Sequence, residues 1–152
     1  MQMKLHQDIH EFIELCLSRK VEFLLVGGYA LAFHGAPRFT EDIDLMVLVS
    51  PENADKLYSV LADFGFGEVG IIRDDFLHAD QVIQLGRAPN RIDILTGISG
   101  VTWKEAWASR IQVNLDGIEI QVIGKQELIR NKQATGRIQD LADLARLRQN
   151  DP

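Results

Sequence analysis

The sequence has a single cysteine, Cys16, which excludes an intrachain disulfide and any cluster of thiolate metal ligands. Three of the histidines, His6, His10 and His78, lack the cysteine or carboxylate partners that a zinc site would require nearby. Cys16 itself falls within an apolar helical pattern, which predicts a buried core residue rather than a nucleophile. We therefore expect no zinc site in this protein.

Long apolar runs and runs of basic residues are also missing. No apolar stretch approaches the roughly 20 residues of a membrane-spanning helix, and residues 1–8 lack the charged-then-apolar layout of a signal peptide. We therefore expect a cytoplasmic protein with no membrane partner. The chain has 16 basic against 22 acidic residues, so extended nucleic-acid binding is not expected, whereas a short RNA end stays compatible with this charge balance.

The composition that remains is that of an ordinary globular protein. We predict a single domain over residues 1–152, because 46% hydrophobic residues in a chain of this length can form one core. Hydrophobic periodicity predicts one leading helix, two terminal helices and an α/β (α+β) order between them, with a mixed sheet whose helices pack mainly on one face. The strand signals fall at Val21–Val26, Ile43–Leu48, Gln81–Leu85, Arg91–Leu95, Gln112–Leu115 and Ile118–Ile123.

Two local signals fix turns and helix ends. Ser50 followed by Pro51 is typical of a helix start, and this pattern predicts a helix that runs to about Phe64. The pair Asp116-Gly117 lies between two alternating apolar segments and predicts a type I′ hairpin.

The most informative segment places a diglycine and two aspartates close together in the chain. An apolar run ends in Gly27-Gly28, a short helix follows, and a second apolar run opens with Asp42 and Asp44. Residues two apart on a strand share a face, so the two carboxylates would project together and repel each other. A divalent cation relieves that repulsion, and oxygen ligands favour Mg²⁺ or Mn²⁺. The diglycine is either a close phosphate contact or only a tight turn.

Taken together, Gly27-Gly28, His34-Gly35 and the Asp42-Ile43-Asp44-Leu45 run resemble the active-site segment of the polymerase-beta-like nucleotidyltransferase superfamily. The resemblance is strongest to its minimal members and to the toxin-type nucleotidyltransferases of abortive-infection systems. It implies a nucleotidyltransferase-like fold with extra terminal helices. It also implies that the diglycine cradles a nucleoside triphosphate (NTP), and that the aspartates hold two metal ions.

The same resemblance implies a third carboxylate on a neighbouring strand. Asp93 lies in the alternating run 91–95 and is the candidate, as a metal ligand and as the general base for the attacking hydroxyl. An exposed acid at a strand edge is the alternative interpretation of Asp93. The resemblance assigns nucleotide binding to five further positions, which are Gly27, Gly28, Arg38, Thr40 and Lys132.

The end of the chain has two interpretations. Its Lys and Asp positions resemble the closing segment of the minimal nucleotidyltransferases. An amphipathic helix is the competing interpretation, with Asp143 and Arg146 on a solvated face. The apolar stripe of that helix would consist of Ile138, Leu141, Leu144 and Leu147.

The function that we expect is metal-dependent transfer of a nucleoside monophosphate (NMP) from an NTP to a hydroxyl of a protein, an RNA end or a small molecule. A protein with this activity could serve as the toxin of a toxin–antitoxin pair, and we include that role in the expectation. Two alternatives are an antibiotic nucleotidyltransferase and a nucleotide-binding regulatory protein without turnover. A homodimer or an antitoxin partner would complete the acceptor site, and Phe76, Trp103 and Trp107 are either contact points for it or buried core.

Overall fold

The computed structural model of the protein describes residues 3–65, 70–86 and 90–149. The helices in these ranges are α1 (Gln7–Ser18), α2 (Gly27–Phe33), α3 (Pro51–Asp63), α4 (Trp103–Ala108), α5 (Lys125–Thr135) and α6 (Ile138–Gln149). The strands are β1 (Phe23–Val26), β2 (Asp42–Val47), β3 (Val82–Leu85), β4 (Arg91–Leu95), β5 (Ile111–Leu115) and β6 (Ile118–Val122), and a short 3₁₀ helix, Arg73–Phe76, precedes β3. Within the described ranges, none of these helices has the length and apolar character to cross a membrane.

The strands form one mixed sheet in the order β3-β4-β2-β1-β6-β5. β1 pairs antiparallel with β2 and parallel with β6, whereas β2 and β4 run parallel. The outer pairs, β3 with β4 and β5 with β6, are antiparallel. The predicted mixed sheet is therefore confirmed, and β2 lies beside β4 in its interior. These two strands carry the three acidic residues of the predicted site.

The helix start and the hairpin turn that the sequence predicts are both present in the structure. The side chain of Ser50 accepts a hydrogen bond from the backbone N–H of Asn53, and Pro51 occupies the first turn of α3. Between β5 and β6, Asp116 and Gly117 both have positive φ angles, 50° and 85°. Two central residues with positive φ are the signature of a type I′ turn, so the hairpin prediction is confirmed.

The core includes the leading helix and the centre of the sheet. α1 buries Ile9, Phe12, Ile13 and Cys16, and β1 is buried along its whole length. Burial raises the pKa of the Cys16 thiol to about 12, so the sulfur stays protonated at neutral pH. The prediction that Cys16 is a core residue is confirmed.

The three aromatic residues considered as contact points divide into two groups. Phe76 is fully buried and therefore belongs to the core. Trp103 and Trp107 stack on each other with their ring centroids 5.3 Å apart, and both are partly buried against the core. The guanidinium of Arg110 lies 3.9 Å from the ring centroid of Trp107. The tryptophans thus already have partners within the chain.

The apolar stripe predicted for the last helix is wrong. Ile138 is 89% exposed and Leu141 is 56% exposed, and only the later members of the stripe are buried. The buried face of α6 consists of Asp140, Asp143, Leu144 and Leu147. Two carboxylates replace the expected apolar residues because cationic side chains of neighbouring segments face this helix. The interpretation of Asp143 as a residue on a solvated face is wrong for the same reason.

Candidate active site

The register between β2 and β4 brings the acidic side chains together. In this parallel pair Asp42 lies opposite Arg91, and Asp44 lies opposite Asp93. Residues two apart on a strand share a face, and so do residues paired across neighbouring strands. The three carboxylates therefore project from the same face of the sheet. Ile43, between two of them, is fully buried on the opposite face.

The diglycine packs directly against these acids. Gly27 has a φ of 68°, and a Cβ at this position would lie 2.1 Å from Oδ2 of Asp44, so no side chain fits here. A Cβ on Gly28 would lie 3.0 Å from the Cβ of Thr40, which is also tighter than ordinary contact. The hydroxyl of Thr40 in turn donates to the backbone carbonyl of Asp42 over 3.1 Å. The glycines let the start of α2 approach the acidic face closely.

The site strongly perturbs one carboxyl group. Burial raises the pKa of Asp44 to about 7, with further contributions from the negative charges of Asp93 and Asp42, while Lys132 opposes the shift. In Asp42, the atom Oδ1 is buried and has no hydrogen-bond partner among the residues that the structure describes. This buried oxygen of Asp42, and the carboxyl group of Asp44 that resists ionisation, both fit a site that would bind a cation.

The raised pKa of Asp44 predicts how the stability of the metal-free protein depends on pH. A carboxyl group whose pKa is about 7 in the folded state and about 4 in the unfolded state favours folding when protonated. This contribution is fully present below pH 4, is lost as the pH rises to about 7, and is constant above that. The Asp44→Asn variant lacks this group, so we expect its stability advantage over the wild type to widen from pH 5 to pH 8, by up to about 3 kcal/mol.

Urea unfolding of both proteins in EDTA at pH 5, 6, 7 and 8 measures this difference. The difference between the two proteins removes the contributions of all other titrating groups. An Asp44→Asn advantage that is the same at pH 5 and pH 8 would contradict the assigned environment of Asp44.

Arg91 binds two of the three acids. Its Nη2 donates to Oδ2 of Asp42 over 2.6 Å, and its Nε donates to Oδ1 of Asp93 over 2.8 Å. Sequence reasoning gave Arg91 no role in the site, although its i, i+2 spacing from Asp93 was the available signal. Within the ranges that the structure describes, no three acidic, histidine or cysteine side chains are already grouped as a metal-binding set.

A second charged cluster lies beside the acids. Nζ of Lys132, in the last turn of α5, is 3.3 Å from Asp140 and 3.1 Å from Asp143. Arg38 donates to both oxygens of Asp143, over 2.9 and 3.3 Å, and Arg137 donates to Asp140 over 2.8 Å. Asp140 and Asp143 are 0% and 1% exposed, and Lys132 is 5% exposed. Two buried carboxylates thus hold three cationic side chains.

Both carboxylates of this cluster stay ionised. Burial acts to raise the pKa of Asp140 and of Asp143, but the hydrogen bonds from the cations outweigh it and hold both pKa values below the usual range. Arg137 is the main partner for Asp140, and Arg38 is the main partner for Asp143. The cluster therefore keeps one positive charge in excess, from three cations against two anions.

Sequence reasoning assigned Asp140 no role of its own, and one of its two interpretations of the last helix placed Asp143 on a solvated face. The signal that was available is their i, i+3 spacing, which puts them on one face with Leu144 and Leu147. That pattern alone does not identify the cationic partners, because Arg38 is 105 residues away in the chain.

All eight residues predicted for the site line one cavity of about 360 Å³. They are Gly27, Gly28, Arg38, Thr40, Asp42, Asp44, Asp93 and Lys132, and the cavity is also lined by Val82, Arg91, Leu95 and Arg137. A second cavity of about 530 Å³ shares six of these residues and extends past Ser99 and Asn131. The acids, the diglycine and the cations therefore face the same space.

Known structures share this arrangement of strands and helices. A predicted nucleotidyltransferase from Thermotoga maritima aligns with a TM-score of 0.59 at 14% identity, over 99% of this chain and 98% of that one. The lincosamide antibiotic adenylyltransferase LnuA, in its lincomycin-bound crystal structure, gives a TM-score of 0.57 at 13% identity, over 98% and 100% of the two chains. The antibiotic-resistance factor ANT(2″)-Ia gives 0.57 at 12% identity, over 93% and 81%. The nucleotidyltransferase-like fold is thereby confirmed.

The sequence also matches a defined family. No curated protein gives a significant match to the chain. The family described as nucleotidyl transferase AbiEii toxin, type IV toxin–antitoxin system, matches residues 17–118, which is more than half of the chain and includes Gly27, Asp42, Asp44 and Asp93. With this match over the strands that carry the acidic face, the chain belongs to the AbiEii nucleotidyl transferase toxin family.

Proposed function

We propose that this protein is a metal-dependent nucleotidyltransferase that moves an NMP group from an NTP to a hydroxyl acceptor. One observation carries the proposal: Asp42, Asp44 and Asp93 face a single cavity that is also lined by Gly27 and by a cluster of cations. Carboxylates suit a divalent metal, and cations suit the phosphates of a nucleotide. Their combination at one cavity fits nucleotidyl transfer better than either feature alone.

The acidic residues would hold Mg²⁺ or Mn²⁺. The donor set fits, because it consists of carboxylate oxygens and includes the buried Oδ1 of Asp42, which no described residue contacts by a hydrogen bond. We assign Asp42, Asp44 and Asp93 as ligands, in a two-metal arrangement. When bound, the metal would supply charge stabilisation to the α-phosphate and to the departing oxygen.

Asp93 would also accept the proton of the acceptor hydroxyl. As the new bond between the acceptor oxygen and the α-phosphorus forms, the bond from that phosphorus to the bridging oxygen of pyrophosphate breaks. The proton of the hydroxyl passes to the Asp93 carboxylate, and pyrophosphate leaves with the electron pair. Asp93 is 8% exposed, so bulk water competes little for that proton.

The cationic cluster would hold the triphosphate. Arg38, Lys132 and Arg137 line the cavity beside the acids, and their charge would neutralise the pyrophosphate as it departs. The glycines at positions 27 and 28 would let a phosphate approach the backbone, with Thr40 beside them. These side chains position the substrate and stabilise charge without forming a covalent intermediate.

The family match favours a toxin that acts on a cellular acceptor over a drug-modifying enzyme. An antitoxin is accordingly the partner that we propose, and we place the reaction in the cytoplasm, where NTPs are abundant. A regulatory protein without turnover is disfavoured, because such a role does not require all three carboxylates at the cavity.

A transfer assay tests the proposed activity. Wild-type protein is incubated with each of the four α-³²P-labelled NTPs, Mg²⁺ or Mn²⁺, and a cell extract separated into protein, RNA and small-molecule fractions. We expect label in one fraction with the wild type and none with Asp44→Ala, and the labelled fraction identifies the class of acceptor. Metal-dependent NTP binding without label in any fraction would favour the regulatory alternative.

A further inference from the structure

Arg91 has an unusual position for a cation in the proposed metal site. It lies on β4 two residues before Asp93 and directly opposite Asp42 in the sheet register. Its guanidinium bridges the two acids, with Nη2 at 2.6 Å from Asp42 and with Nε and Nη2 at 2.8 and 3.1 Å from Asp93. The Arg91 side chain is 28% exposed, so solvent screens these contacts only in part. One side chain therefore binds two of the three proposed metal ligands and offsets part of their negative charge.

The remaining acidic atoms lack such a partner. Within residues 3–65, 70–86 and 90–149, the buried Oδ1 of Asp42 has no hydrogen bond, and Asp44 is not among the groups to which Arg91 donates. A divalent cation that bound all three carboxylates could take the second oxygen of Asp42, but both oxygens of Asp93 already accept hydrogen bonds from Arg91. It would also be repelled by the guanidinium at this short range. Arg91 and the metal therefore compete for the same two acids.

We propose that Arg91 is a displaceable internal cation, which holds Asp42 and Asp93 in the metal-free protein and releases them when the divalent metal binds. This inference rests on the proposed function, since it concerns the same site. It explains how the strands β2 and β4 tolerate three adjacent carboxylates before any metal arrives. It also means that part of the metal's binding free energy is used to displace Arg91.

A purely structural role for Arg91 predicts a different change in metal affinity when Arg91 is removed. If Arg91 kept its contacts with the metal present, it would orient Asp42 and Asp93 as ligands, and its removal would weaken metal binding. If Arg91 is displaced, its removal strengthens metal binding while it destabilises the metal-free protein. The two roles therefore predict opposite changes in metal affinity, whereas both predict a loss of metal-free stability.

The test measures Mn²⁺ binding by electron paramagnetic resonance (EPR), together with the thermal unfolding midpoint in EDTA. The variants are Arg91→Gln, which removes the charge, and Arg91→Lys, which keeps it on an ammonium that cannot bridge both acids in the same way. The matched control is Arg19→Gln, which removes an arginine of similar exposure that pairs with Asp63 away from the cavity. Asp44→Ala reports any Mn²⁺ bound elsewhere.

We expect Arg91→Gln to bind Mn²⁺ at least about tenfold more tightly than the wild type and to unfold at a lower temperature in EDTA. Arg91→Lys should bind with intermediate affinity, and it serves alone if Arg91→Gln does not fold. Unchanged or weaker Mn²⁺ binding by the Arg91 variants, with the wild type still binding, would overturn the role of Arg91 and leave the proposed function standing. Absence of Mn²⁺ binding in all the proteins would overturn both the proposed role of Arg91 and the proposed function.

Discussion

Replacing Asp44 with alanine is expected to abolish nucleotidyl transfer, with a fall in turnover of at least about 10³-fold. Asp44 lies at the centre of the acidic face, opposite Asp93 in the register and against the backbone of Gly27. Its loss would remove a ligand from the proposed metal site, and metal stabilisation of a phosphoryl-transfer transition state contributes several kcal/mol. Steady-state turnover in saturating Mg²⁺ and NTP measures this effect.

The fold should survive this substitution. Burial and neighbouring acids disfavour the charged form of Asp44, so the alanine variant is expected to unfold at pH 8 in EDTA at a temperature no lower than the wild type. The matched control is Glu41→Ala, which removes an exposed acid three positions earlier that does not line the cavity. A folded Asp44→Ala protein with turnover within tenfold of the wild type would refute the assignment.

Replacing Asp143 with asparagine should have the largest effect on stability. Asp143 is 1% exposed and binds both Arg38 and Lys132, so the substitution leaves two cations with reduced compensation. Removing one partner of a buried ion pair typically destabilises a protein by about 3–5 kcal/mol. For a chain of this size we expect the unfolding midpoint to fall by roughly 6–15 °C. Differential scanning calorimetry measures this shift.

The same variant should bind the nucleotide less well, because Arg38 and Lys132 line the cavity and depend on Asp143 for their positions. We expect KM for the NTP to rise more than kcat falls. Asp63→Asn is the control, since it breaks the half-exposed ion pair with Arg19, and such pairs contribute at most about 1 kcal/mol. Equal destabilisation by the two substitutions would show that the buried cluster contributes no more to stability than the half-exposed ion pair does.

Much of the fold could be predicted from local patterns in the sequence. Strand patterns located the six strands of the described residues to within about two residues, and Ser50, Pro51 and Asp116-Gly117 identified a helix start and a hairpin. The alternation of Asp42 and Asp44 also indicated that their carboxylates share a face. These features depend on residues that are near one another in the chain, which is why a single sequence reveals them.

The contacts between distant segments were harder to predict. The apolar stripe of α6 failed at Ile138 and Leu141, because the helix turns Asp140 and Asp143 toward cations from other elements. Burial of a carboxylate depends on where its counter-charge lies in space, and that position cannot be read from local patterns in a single sequence. The contact between Arg91 and Asp42 was missed for a related reason, because this hydrogen bond exists only through the β2–β4 register.

The position of the label in the NTP tests the central claim most directly. The transfer assay is run in parallel with the NTP labelled at the α-phosphate or at the γ-phosphate, with Mg²⁺ and the fraction that contains the acceptor. Nucleotidyl transfer predicts α-label on the acceptor and γ-label in released pyrophosphate, and neither product with Asp44→Ala. Appearance of γ-label on the acceptor would instead demonstrate phosphoryl transfer and would contradict the proposed function.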